Sequence, residues 1–439
     1  MLSDYIGAER LIVDAVEGEN ILTQVAETQR RPFTFVYLST GILDSVFDSQ
    51  VLPVLREMSL RKWHVIHISS EPFLVRRTES WVEKKSILAK ESFISIYQRK
   101  LPELNRLCLK YDAHRISGML KTCLGAPVII HARGHVNAWK ACHFKNLWKV
   151  SADLRGAIWD EKPRTEPGWF KVLRMTSSRD FFLEIEKEVV RSAHRLLCVS
   201  EAFKKHLWSL KPLSEPELIP TFVDDSAFAF SARARKIIRS ALNIRDEQPV
   251  FVFTAGGAEW QMAEDLLQWC GRISDIWPES FFLILSLVPE KIRAIANKWL
   301  HPECFLIKNV SYSEVGQYLS AADIGLLFRD NSWTNRVAAP TKFSEYACSG
   351  LPVCLTKGIG DTERYIRKSG AGLTIDSMHE LPRLDDLKKL LKIPRRELSL
   401  RGLRAYGQAR WLKVLAQQYE HMADTYYGQP QPEIIRGFQ

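Results

Sequence analysis

The segment 338–353 combines residue types that suit a ligand-binding corner between a helix and a strand. Pro340 suits the first turn of a helix, because its missing N–H group would have no partner there in any case. Thr341 and Lys342 add a hydroxyl and a cation beside the N–H groups of that turn, and Glu345 follows them. A cation and a carboxylate at one helix start suit a ligand with both phosphates and hydroxyls. An ordinary helix–strand unit with a surface lysine and glutamate is the alternative.

Two adjacent glycines, Gly256 and Gly257, follow an apolar run that is typical of a strand and ends at Phe253. Such a pair lets backbone N–H groups approach a phosphate closely, although tight turns also use glycine for steric reasons alone. Loops that follow parallel strands open on one edge of the sheet. We therefore expect this turn to share an edge with Thr341 and Lys342, so that all four residues could contact one ligand.

A second polar cluster follows two apolar runs in the first half of the chain. His131 and Arg133 follow one run, and Asp153 and Arg155 follow the next. An arginine at a strand end can hold a phosphate or carboxylate in fork geometry, and a nearby aspartate can orient it. A structural Asp–Arg pair that ties two loops together explains Asp153 and Arg155 at least as well as catalysis does. His131 and His135 could act as acid or base near neutral pH, although isolated histidines are more often structural.

Several familiar catalytic motifs are missing from the sequence. It has no Gly-Lys-Ser phosphate loop, no GxSxG elbow and no HExxH helix, which disfavours P-loop hydrolysis, serine esterase and zinc protease chemistry. Its 8 cysteines are dispersed, without a CxxC pair or a nearby histidine at metal-ligand spacing. We therefore expect reduced thiols, no metal site and no disulfide framework.

These candidate residues need a scaffold, and the sequence predicts strands that alternate with helices. In the first half, apolar β-prone runs occur at 33–40, 64–69, 127–131, 150–155 and 196–200. A second series occurs at 249–253, 281–286, 304–307, 324–328 and 351–355. One of the intervening helices is predicted around Phe93 and Tyr97. Such alternation predicts an α/β protein with two largely parallel sheets and a cleft between them as the natural site.

The apolar pattern loosens after Pro220, where we place the boundary between two domains. The predicted organisation is an N-terminal extension (1–30), an N-terminal α/β domain (31–220), a C-terminal α/β domain (221–400), an amphipathic helix (401–427) and a flexible tail (428–439). At 439 residues the chain is too long for one comfortable core, so two domains are the default expectation.

Composition limits the cellular compartments and the binding partners that can be expected. No run approaches the roughly 18 apolar residues of a membrane span, and the N-terminal segment lacks the basic start and apolar centre of a signal peptide. We therefore expect a cytoplasmic protein. The formal net charge of +10 indicates an acidic partner, such as nucleic acid, anionic lipid or a phosphorylated small molecule, or simply a solvated basic surface.

Taken in order along the chain, the motifs resemble those of bacterial GT-B glycosyltransferases of family 4 type. They are Gly41, His131-Ala-Arg133-Gly134, Asp153-Leu-Arg155-Gly156, Cys198-Val-Ser-Glu201, Ile219-Pro220 with Val223-Asp224, Gly256-Gly257 and Pro340-Thr-Lys-Phe-Ser-Glu-Tyr346. The resemblance spans residues 33–425 and is strongest over 322–361. It implies GT-B architecture, in which two Rossmann-like domains with parallel sheets face each other across a cleft. It also implies transfer of a sugar from a nucleotide-sugar donor to an acceptor hydroxyl, with retention and without a metal or another cofactor.

The resemblance also implies roles for individual residues, with the donor held by the C-terminal domain. Glu345 corresponds to the glutamate that binds the ribose hydroxyls, and Gly256, Gly257 and the amides near Thr341 would contact the diphosphate. The nucleobase would lie against Asn309 and Val310. The rest of the predicted donor-binding set is Gly41, Trp260, Asn335, Arg336 and Lys342. The predicted catalytic set is His131, Arg133, Asp153 and Arg155. The terminal helix with Trp411 would cross back to the first domain.

Two positions depart from the family pattern. Members often carry a second glutamate eight positions before the ribose-binding one, and here Val337 stands there, between Asn335-Arg336 and the helix. The Arg and Lys pair that usually follows the first strand of the second domain is replaced by Trp260-Gln261. Positive charge for a leaving diphosphate would then come from Lys342, Arg329, Arg336 or Arg133.

The leading interpretation is a cytoplasmic glycosyltransferase of hexosyltransferase type that serves a cell-surface polysaccharide or glycoconjugate. Its partners would be a nucleotide-sugar donor and a glycan or lipid-linked acceptor. The segments Arg61–Trp63 and Arg76–Arg77 suit peripheral contact with the inner face of a membrane. The alternatives are a nucleotide-sugar epimerase or hydrolase on the same scaffold, and a non-catalytic nucleotide-sugar-binding subunit, which Val337 makes plausible. No nucleic-acid motif is recognised, so nucleic acid is not an expected partner.

Overall fold

The structure is a computed structural model that describes residues 33–427, except for 44–45, 72–74, 76–77, 100–105, 121–126, 145–146, 166–178 and 256–261. The extension predicted for 1–30 and the tail predicted for 428–439 lie outside the described residues. The chain divides into two compact units. Unit 1 consists of Met1–Cys198, Lys205–Glu217 and Leu412–Gln439, and unit 2 of Val199–Lys204 and Leu218–Trp411.

Unit 1 is built on strands that alternate with helices. Its strands are β1 (Thr34–Thr40), β2 (His64–Glu71), β3 (Ile94–Arg99), β4 (Val128–Arg133), β5 (Lys149–Leu154), β6 (Arg195–Cys198) and β7 (Glu217–Leu218), which the unit boundary divides. Its helices are α1 (Leu52–Leu60), which continues a π-helical turn at Phe47–Val51, α2 (Glu79–Leu88), α3 (Arg106–Leu120), α4 (His135–Cys142), α5 (Ile158–Thr165) and α6 (Arg179–Val190), followed by α7 (Glu201–Ser209), which the unit boundary divides.

The strand order in unit 1 is β3-β2-β1-β4-β5-β6-β7, and the pairs from β3 to β6 are parallel. The order reverses between β1 and β4, where Tyr37 lies opposite His131. In such a doubly wound sheet, ligands bind beyond the carboxyl ends of the strands at the point of reversal. In unit 1 that point is formed by the loops that follow Thr40 and Arg133.

Unit 2 repeats the same plan. Its strands are β8 (Val250–Ala255), β9 (Phe281–Ser286), β10 (Phe305–Lys308), β11 (Ile324–Leu327), β12 (Val353–Thr356) and β13 (Gly372–Ile375). Its helices are α8 (Asp225–Phe228), α9 (Ala232–Ala241), α10 (Ala263–Ile276), α11 (Pro289–Trp299), α12 (Tyr312–Ala321), α13 (Trp333–Val337), α14 (Thr341–Cys348), α15 (Thr362–Ser369), α16 (Leu384–Leu391) and α17 (Arg395–Tyr406), with a 3₁₀ turn at Pro302–Cys304. The helix α18 (Gln408–Tyr427) begins in unit 2 and continues into unit 1.

The sheet of unit 2 has the parallel order β10-β9-β8-β11-β12-β13, which reverses between β8 and β11. Helices cover both faces of this sheet, so its central strands are apolar on both sides. Phe251 belongs to the core cluster on one face, with Trp269 of α10, and Val252 to the cluster on the other, with Phe343 of α14. The predicted α/β class with two parallel sheets is confirmed.

Two details of the predicted elements were wrong. The residues around Phe93 and Tyr97 form strand β3 rather than a helix, because Ile94–Arg99 pairs in parallel with β2 at the edge of the sheet. The helix predicted over 401–427 is divided at Gly407, whose extended backbone forms a bridge with Val223. A side chain at position 407 would meet the Asp225 carboxylate at 2.4 Å, so the bridge requires glycine there.

Part of the basic stretch that follows Asp224 serves unit 2 internally. Arg239 is 1% exposed, and its guanidinium donates to the carbonyl groups of Ala321 at 2.9 Å and Gln248 at 2.6 Å. It also approaches the Asp323 carboxylate at 3.3 Å, and Arg235 pairs with the same carboxylate at 2.8 Å. These two arginines therefore tie loops together and do not form a basic surface for a partner.

The segment Arg61–Trp63, expected to contact a membrane, is also engaged within its unit. Trp63 is buried against Phe33, with ring centroids 4.5 Å apart, and Arg61 pairs with Glu57 at 3.0 Å and Glu420 at 3.2 Å. Arg76 and Arg77 lie outside the described residues. Among the helices that the structure describes, none has both the length and the apolar character needed to cross a membrane. Each of the 7 cysteines in the described ranges is a free thiol.

Close packing of α17 against α14 predicts a large effect at Gly402. A Cβ atom at this position would lie 2.0 Å from the Ala347 carbonyl oxygen, so the two helices could no longer approach each other. We expect Gly402→Val to lower the free energy of unfolding by about 1–3 kcal/mol, the usual range for overpacking. Urea denaturation measures this change.

Gly118 in α3 is the matched control, because a Cβ atom there would meet nothing within 4 Å. Gly118→Ala should raise the free energy of unfolding by about 0.5–1 kcal/mol, as expected for a helical glycine. Equal stability of Gly402→Val and the wild type would contradict the close helix contact.

Candidate functional site

The candidate site of unit 2 lies at the reversal point between β8 and β11. The helix α14 begins nearby at Thr341 with Pro340 as its N-cap, so the proline stands just before the first turn and not in it as predicted. The N-cap makes no side-chain hydrogen bond. Phe343, Tyr346 and Ala347 of α14 are buried, as their spacing predicts. Gly350 follows the helix with φ +65°, a conformation that favours glycine. The sequence therefore folds locally as expected, and α14 brings Lys342 and Glu345 to the site.

Lys342 and Glu345 are a cationic and an acidic side chain that are both largely shielded from solvent. Glu345 is 8% exposed, and burial raises its pKa to about 7 although the nearby Lys342 charge opposes the rise. Burial lowers the pKa of Lys342 to about 8, with Arg329 acting in the same direction and Glu345 against it. The Lys342 ammonium donates to the Thr254 carbonyl oxygen at the end of β8. Both groups therefore change charge close to neutral pH.

Tyr346 fixes the end of β8 against α14. Its hydroxyl accepts a hydrogen bond from the Thr254 N–H group at 3.1 Å. The ring is fully buried and packs on Gly325 of β11, where a Cβ atom would lie 2.7 Å from the ring. This contact fixes the end of β8 on α14. Gly256, Gly257 and Trp260, three predicted donor-binding residues, lie outside the described residues.

The loop that follows β11 is held by its own side chains. The backbone of Arg329 exchanges two 2.9 Å hydrogen bonds with the Thr356 hydroxyl. The Asn335 amide donates to the Asp330 carboxylate at 2.6 Å, and Arg336 donates to the Asn331 side chain at 2.9 Å. Asn335 and Arg336 thus stabilise the turn before α14, and their predicted contact with the donor stays a prediction.

Val337, at the position of the expected acid, belongs to the packed interior of unit 2. Its side chain is fully buried, and its carbonyl group accepts a 2.7 Å hydrogen bond from the Ser200 hydroxyl. The backbone around it is equally engaged, since Gly360 donates to the Asn335 carbonyl group at 3.1 Å. Replacement of the expected acid by valine is therefore consistent with the packing at this position.

Asn309 and Val310 follow β10, two strands away from β8 on the same edge of the sheet. Asn309 is exposed, and Val310 packs partly against the core cluster that contains Phe343. Thr341 is half-buried at the start of α14. The structure thus places these predicted donor contacts on the edge that carries Lys342 and Glu345.

The predicted catalytic residues of unit 1 form one buried ion cluster around Asp153. The carboxylate is 1% exposed and lies 2.7 Å from Arg155 Nε and 3.4 Å from both Arg133 Nη1 and His131 Nε2. Burial by itself would raise its pKa, but Arg155, His131 and Arg133 outweigh burial and hold the pKa well below its usual range. Asp153 therefore stays ionised and fixes both arginines at the carboxyl ends of β4 and β5.

His131 is enclosed in this cluster. It is 1% exposed, and burial lowers its pKa although Asp153 opposes that change. Its other ring nitrogen is hydrogen-bonded to the Tyr419 hydroxyl of α18. The imidazole thus joins β4 to α18, which supports a structural role, and its acid–base role stays a prediction.

His135, the other candidate acid or base, has a buried structural partner that the sequence did not indicate. Glu186 of α6 accepts from His135 at 2.9 Å, His206 at 2.6 Å and Trp159 at 3.2 Å. Burial would raise the Glu186 pKa, but the bonds from the two histidines lower it to about 2. This cluster connects α4, α5 and α7 to the Glu186 carboxylate of α6.

Gly41 has the backbone conformation of a tight turn, with φ +67°, and its N–H group donates to the Ser70 carbonyl oxygen at 3.1 Å. The next N–H group, of Ile42, donates to the Glu71 carboxylate at 2.9 Å, as does the Ser69 hydroxyl at 2.6 Å. Glu71 was not predicted. Its position at the carboxyl end of a buried strand was the available signal, because an acid there must find a partner.

Two Rossmann-like parallel-sheet units in one chain define the GT-B class of α/β fold. The chain is similar in structure to sucrose-phosphate synthase from Thermosynechococcus elongatus, with a TM-score of 0.68 and 13% sequence identity. The similarity covers 90% of this chain and 100% of the synthase chain. It is similar over 89% of its length to all of Anabaena HepE, solved in complex with UDP, with a TM-score of 0.64 and 12% identity.

The chain is also similar in structure to WaaG, a glycosyltransferase involved in lipopolysaccharide biosynthesis, with a TM-score of 0.59 and 15% sequence identity. The similarity covers 90% of this chain and 100% of the WaaG chain. At these identities the similarity establishes the fold. No family model matches the sequence, and no curated protein matches it.

Proposed function

We propose that the protein is a nucleotide-sugar-dependent glycosyltransferase whose donor binds to unit 2 at Glu345. The observation that carries the proposal is the buried pair of Glu345 and Lys342 at the start of α14, on the reversal point of a doubly wound sheet. Burial of an ionised acid is costly, and ribose hydroxyls would donate hydrogen bonds to its carboxylate. The structures of HepE with UDP and with UDP-glucose support a donor of this class.

The reaction follows from the charges at this edge. The bond between the sugar carbon and the diphosphate oxygen breaks, the acceptor oxygen bonds to that carbon, and the acceptor proton goes to the departing phosphate. The leaving diphosphate gathers negative charge, which Lys342, Arg329 and the start of α14 would stabilise. Because these groups supply the charge, we propose transfer without a metal. Retention follows if the acceptor attacks on the face from which the diphosphate leaves.

We extend the proposal to the synthesis of a polysaccharide or glycoconjugate, with a glycan or lipid-linked acceptor, at the cytoplasmic side of a membrane. The similarity in fold to WaaG, which is involved in lipopolysaccharide biosynthesis, supports this extension. Hexosyl transfer would suit the same site. The predicted roles of Gly256, Gly257, Trp260, Asn309 and Val310 belong to the same proposal.

Product analysis tests the reaction. The protein is incubated with UDP-, GDP-, ADP- and CMP-sugars, with and without glycan acceptors, and the products are identified by mass spectrometry and NMR. A new glycoside supports the proposal. An epimerised or free sugar would favour an epimerase or hydrolase instead, a class for which the fold of UDP-GlcNAc 2-epimerase from Neisseria meningitidis is a precedent at a TM-score of 0.54 and 12% identity. Binding without any product would favour the non-catalytic alternative.

The two shifted pKa values predict how donor affinity depends on pH. The ionised carboxylate of Glu345 accepts the ribose hydroxyls best, so affinity should rise as the pH passes its pKa of about 7. The charged ammonium of Lys342 attracts the diphosphate, so affinity should fall above its pKa of about 8. Calorimetric titration from pH 5 to 10 should therefore give a maximum between these two values.

Glu345→Gln provides the control, because it removes the rise below neutral pH and leaves the fall above it. In the ligand-free protein, the stability changes with pH in the direction opposite to that of donor affinity. A buried carboxyl with a raised pKa holds its proton longer in the folded state, so the free energy of unfolding falls as the pH rises towards about 7. Donor affinity that is independent of pH in the wild type would contradict the assignment of both groups.

A further inference from the structure

A second cavity in unit 2 lies on another face of α14, and neither Lys342 nor Glu345 lines it. It has a volume of about 200 Å³, and four aromatic rings line it: Phe343, Tyr365, Tyr406 and Trp411. We call it the tyrosine pocket. The ring centroids of Phe343, Tyr365 and Tyr406 lie 5.4–5.8 Å from one another, at tilted and edge-on angles. Such rings offer broad apolar surface to a ligand.

The polar groups of the tyrosine pocket fall into two sets. The Ser344 hydroxyl donates to the Thr221 carbonyl oxygen at 2.7 Å, and the Thr362 hydroxyl donates to that of Ile359 at 2.6 Å. Within the described part of the chain, the hydroxyls of Tyr365 and Tyr406 have no hydrogen-bond partner. Burial raises the pKa of both tyrosines, so the hydroxyls keep their protons and remain donors.

The charged residues that line the pocket are two cations, Arg364 and Lys368, and one acid, Asp361. Lys368 is exposed on α15 and has no ion pair among the residues that the structure describes. Arg364, one helical turn earlier, makes only long pairs, at 3.4 Å to Asp361 and 3.7 Å to Glu201. The groups that still lack partners are two phenols and one ammonium, which all donate hydrogen bonds.

We propose that the tyrosine pocket binds a phosphate monoester of an apolar alcohol, with the hydrocarbon against Phe343, Tyr365 and Tyr406 and the phosphate at Lys368 and the tyrosine hydroxyls. A phosphate matches this set because it is an acceptor that carries enough charge for several donors. The aromatic walls give the hydrocarbon a place out of water. The proposal does not depend on sugar transfer, because none of these residues belongs to the donor site.

The binding test uses the full chain and isothermal titration with phenyl phosphate, hexyl phosphate and inorganic phosphate. We expect at least one ester to bind at least tenfold more tightly than inorganic phosphate, and the better ester identifies an aromatic or an aliphatic ligand. Equal affinity for inorganic phosphate, or no binding of either ester, would overturn the proposal.

Variants locate the binding. Lys368→Ala and Tyr406→Phe should each weaken ester binding about tenfold, which corresponds to loss of one hydrogen bond to a charged group. Lys291→Ala, which changes an exposed lysine of α11, should have no effect. Glu345→Gln should also leave ester binding unchanged, and loss of binding in that variant would place the ester at the donor site and overturn the proposal. Because Lys368 is exposed, we expect Lys368→Ala to fold, so this variant tests the proposal even if Tyr406→Phe does not fold.

Discussion

Replacement of Glu345 by glutamine should weaken nucleotide-sugar binding about a hundredfold. One ribose hydroxyl would lose its charged acceptor, because the glutamine NH₂ group donates, while the amide oxygen still accepts from the other. A hydrogen bond to a charged group contributes about 1.5–3 kcal/mol, and a hundredfold loss corresponds to about 2.7 kcal/mol. Glutamine has nearly the same shape, so packing around α14 is preserved and the loss reports on charge. Isothermal titration with the nucleotide sugar that the wild type binds best measures the change at pH 7.5.

The control for this prediction is Glu397→Gln, in the same unit. Glu397 is 57% exposed and pairs only across one helical turn with Arg401 among the described residues. We expect no change in donor affinity for this variant. A Glu345→Gln protein that binds the donor as tightly as the wild type does would show that the ribose lies elsewhere.

Replacement of Asp153 by alanine should destabilise unit 1 strongly. The carboxylate neutralises Arg155 and Arg133 in a place where its own side chain is 1% exposed. Breaking a buried ion pair leaves uncompensated charge and typically costs about 3–5 kcal/mol. We expect a loss of this size in the free energy of unfolding, measured by urea denaturation at pH 7.

The matched control is Glu397→Ala, which removes an exposed ion pair and should change stability by less than about 0.5 kcal/mol. A second readout tests whether the effect is confined to unit 1. If Asp153 only positions the two arginines, donor affinity at unit 2 should be unchanged in the part of the Asp153→Ala protein that remains folded. Full stability of Asp153→Ala would contradict the cluster as a structural element.

Much of the fold could be predicted because a doubly wound sheet is buried on both faces. The run Phe281–Ser286 is continuously apolar up to its last residue, and the predicted strand has the observed bounds. The strand β3 could not be recognised in the same way. It lies at the sheet edge, where Ile94, Ser95 and Tyr97 are only partly buried, so its pattern resembles that of an amphipathic helix.

The candidate site was predictable where its residues are neighbours in sequence. Lys342 and Glu345 lie one turn apart on α14, and Asp153 and Arg155 are almost adjacent, so spacing alone places them together. The supporting contacts join distant segments, as with Tyr346 and Thr254, which are 92 residues apart, or His131 and Tyr419, which are 288 apart. Only the tertiary fold creates such contacts.

Val337 shows how packing can explain a departure from a family pattern. A valine in place of an expected acid favours a non-catalytic protein when the sequence is considered alone. In the fold this side chain belongs to the interior, while Lys342 and Arg329 remain on the edge that faces the proposed diphosphate. We therefore expect the replacement to alter the proposed sugar contacts and to leave the proposed nucleotide contacts in place.

A crystal structure of the protein with its preferred nucleotide sugar tests the central claim most directly. We predict that both ribose hydroxyls lie within hydrogen-bonding distance of the Glu345 carboxylate and that the diphosphate lies at Lys342 and the start of α14. A nucleotide bound at any other place in the chain, with Glu345 still buried and unliganded, would contradict the account.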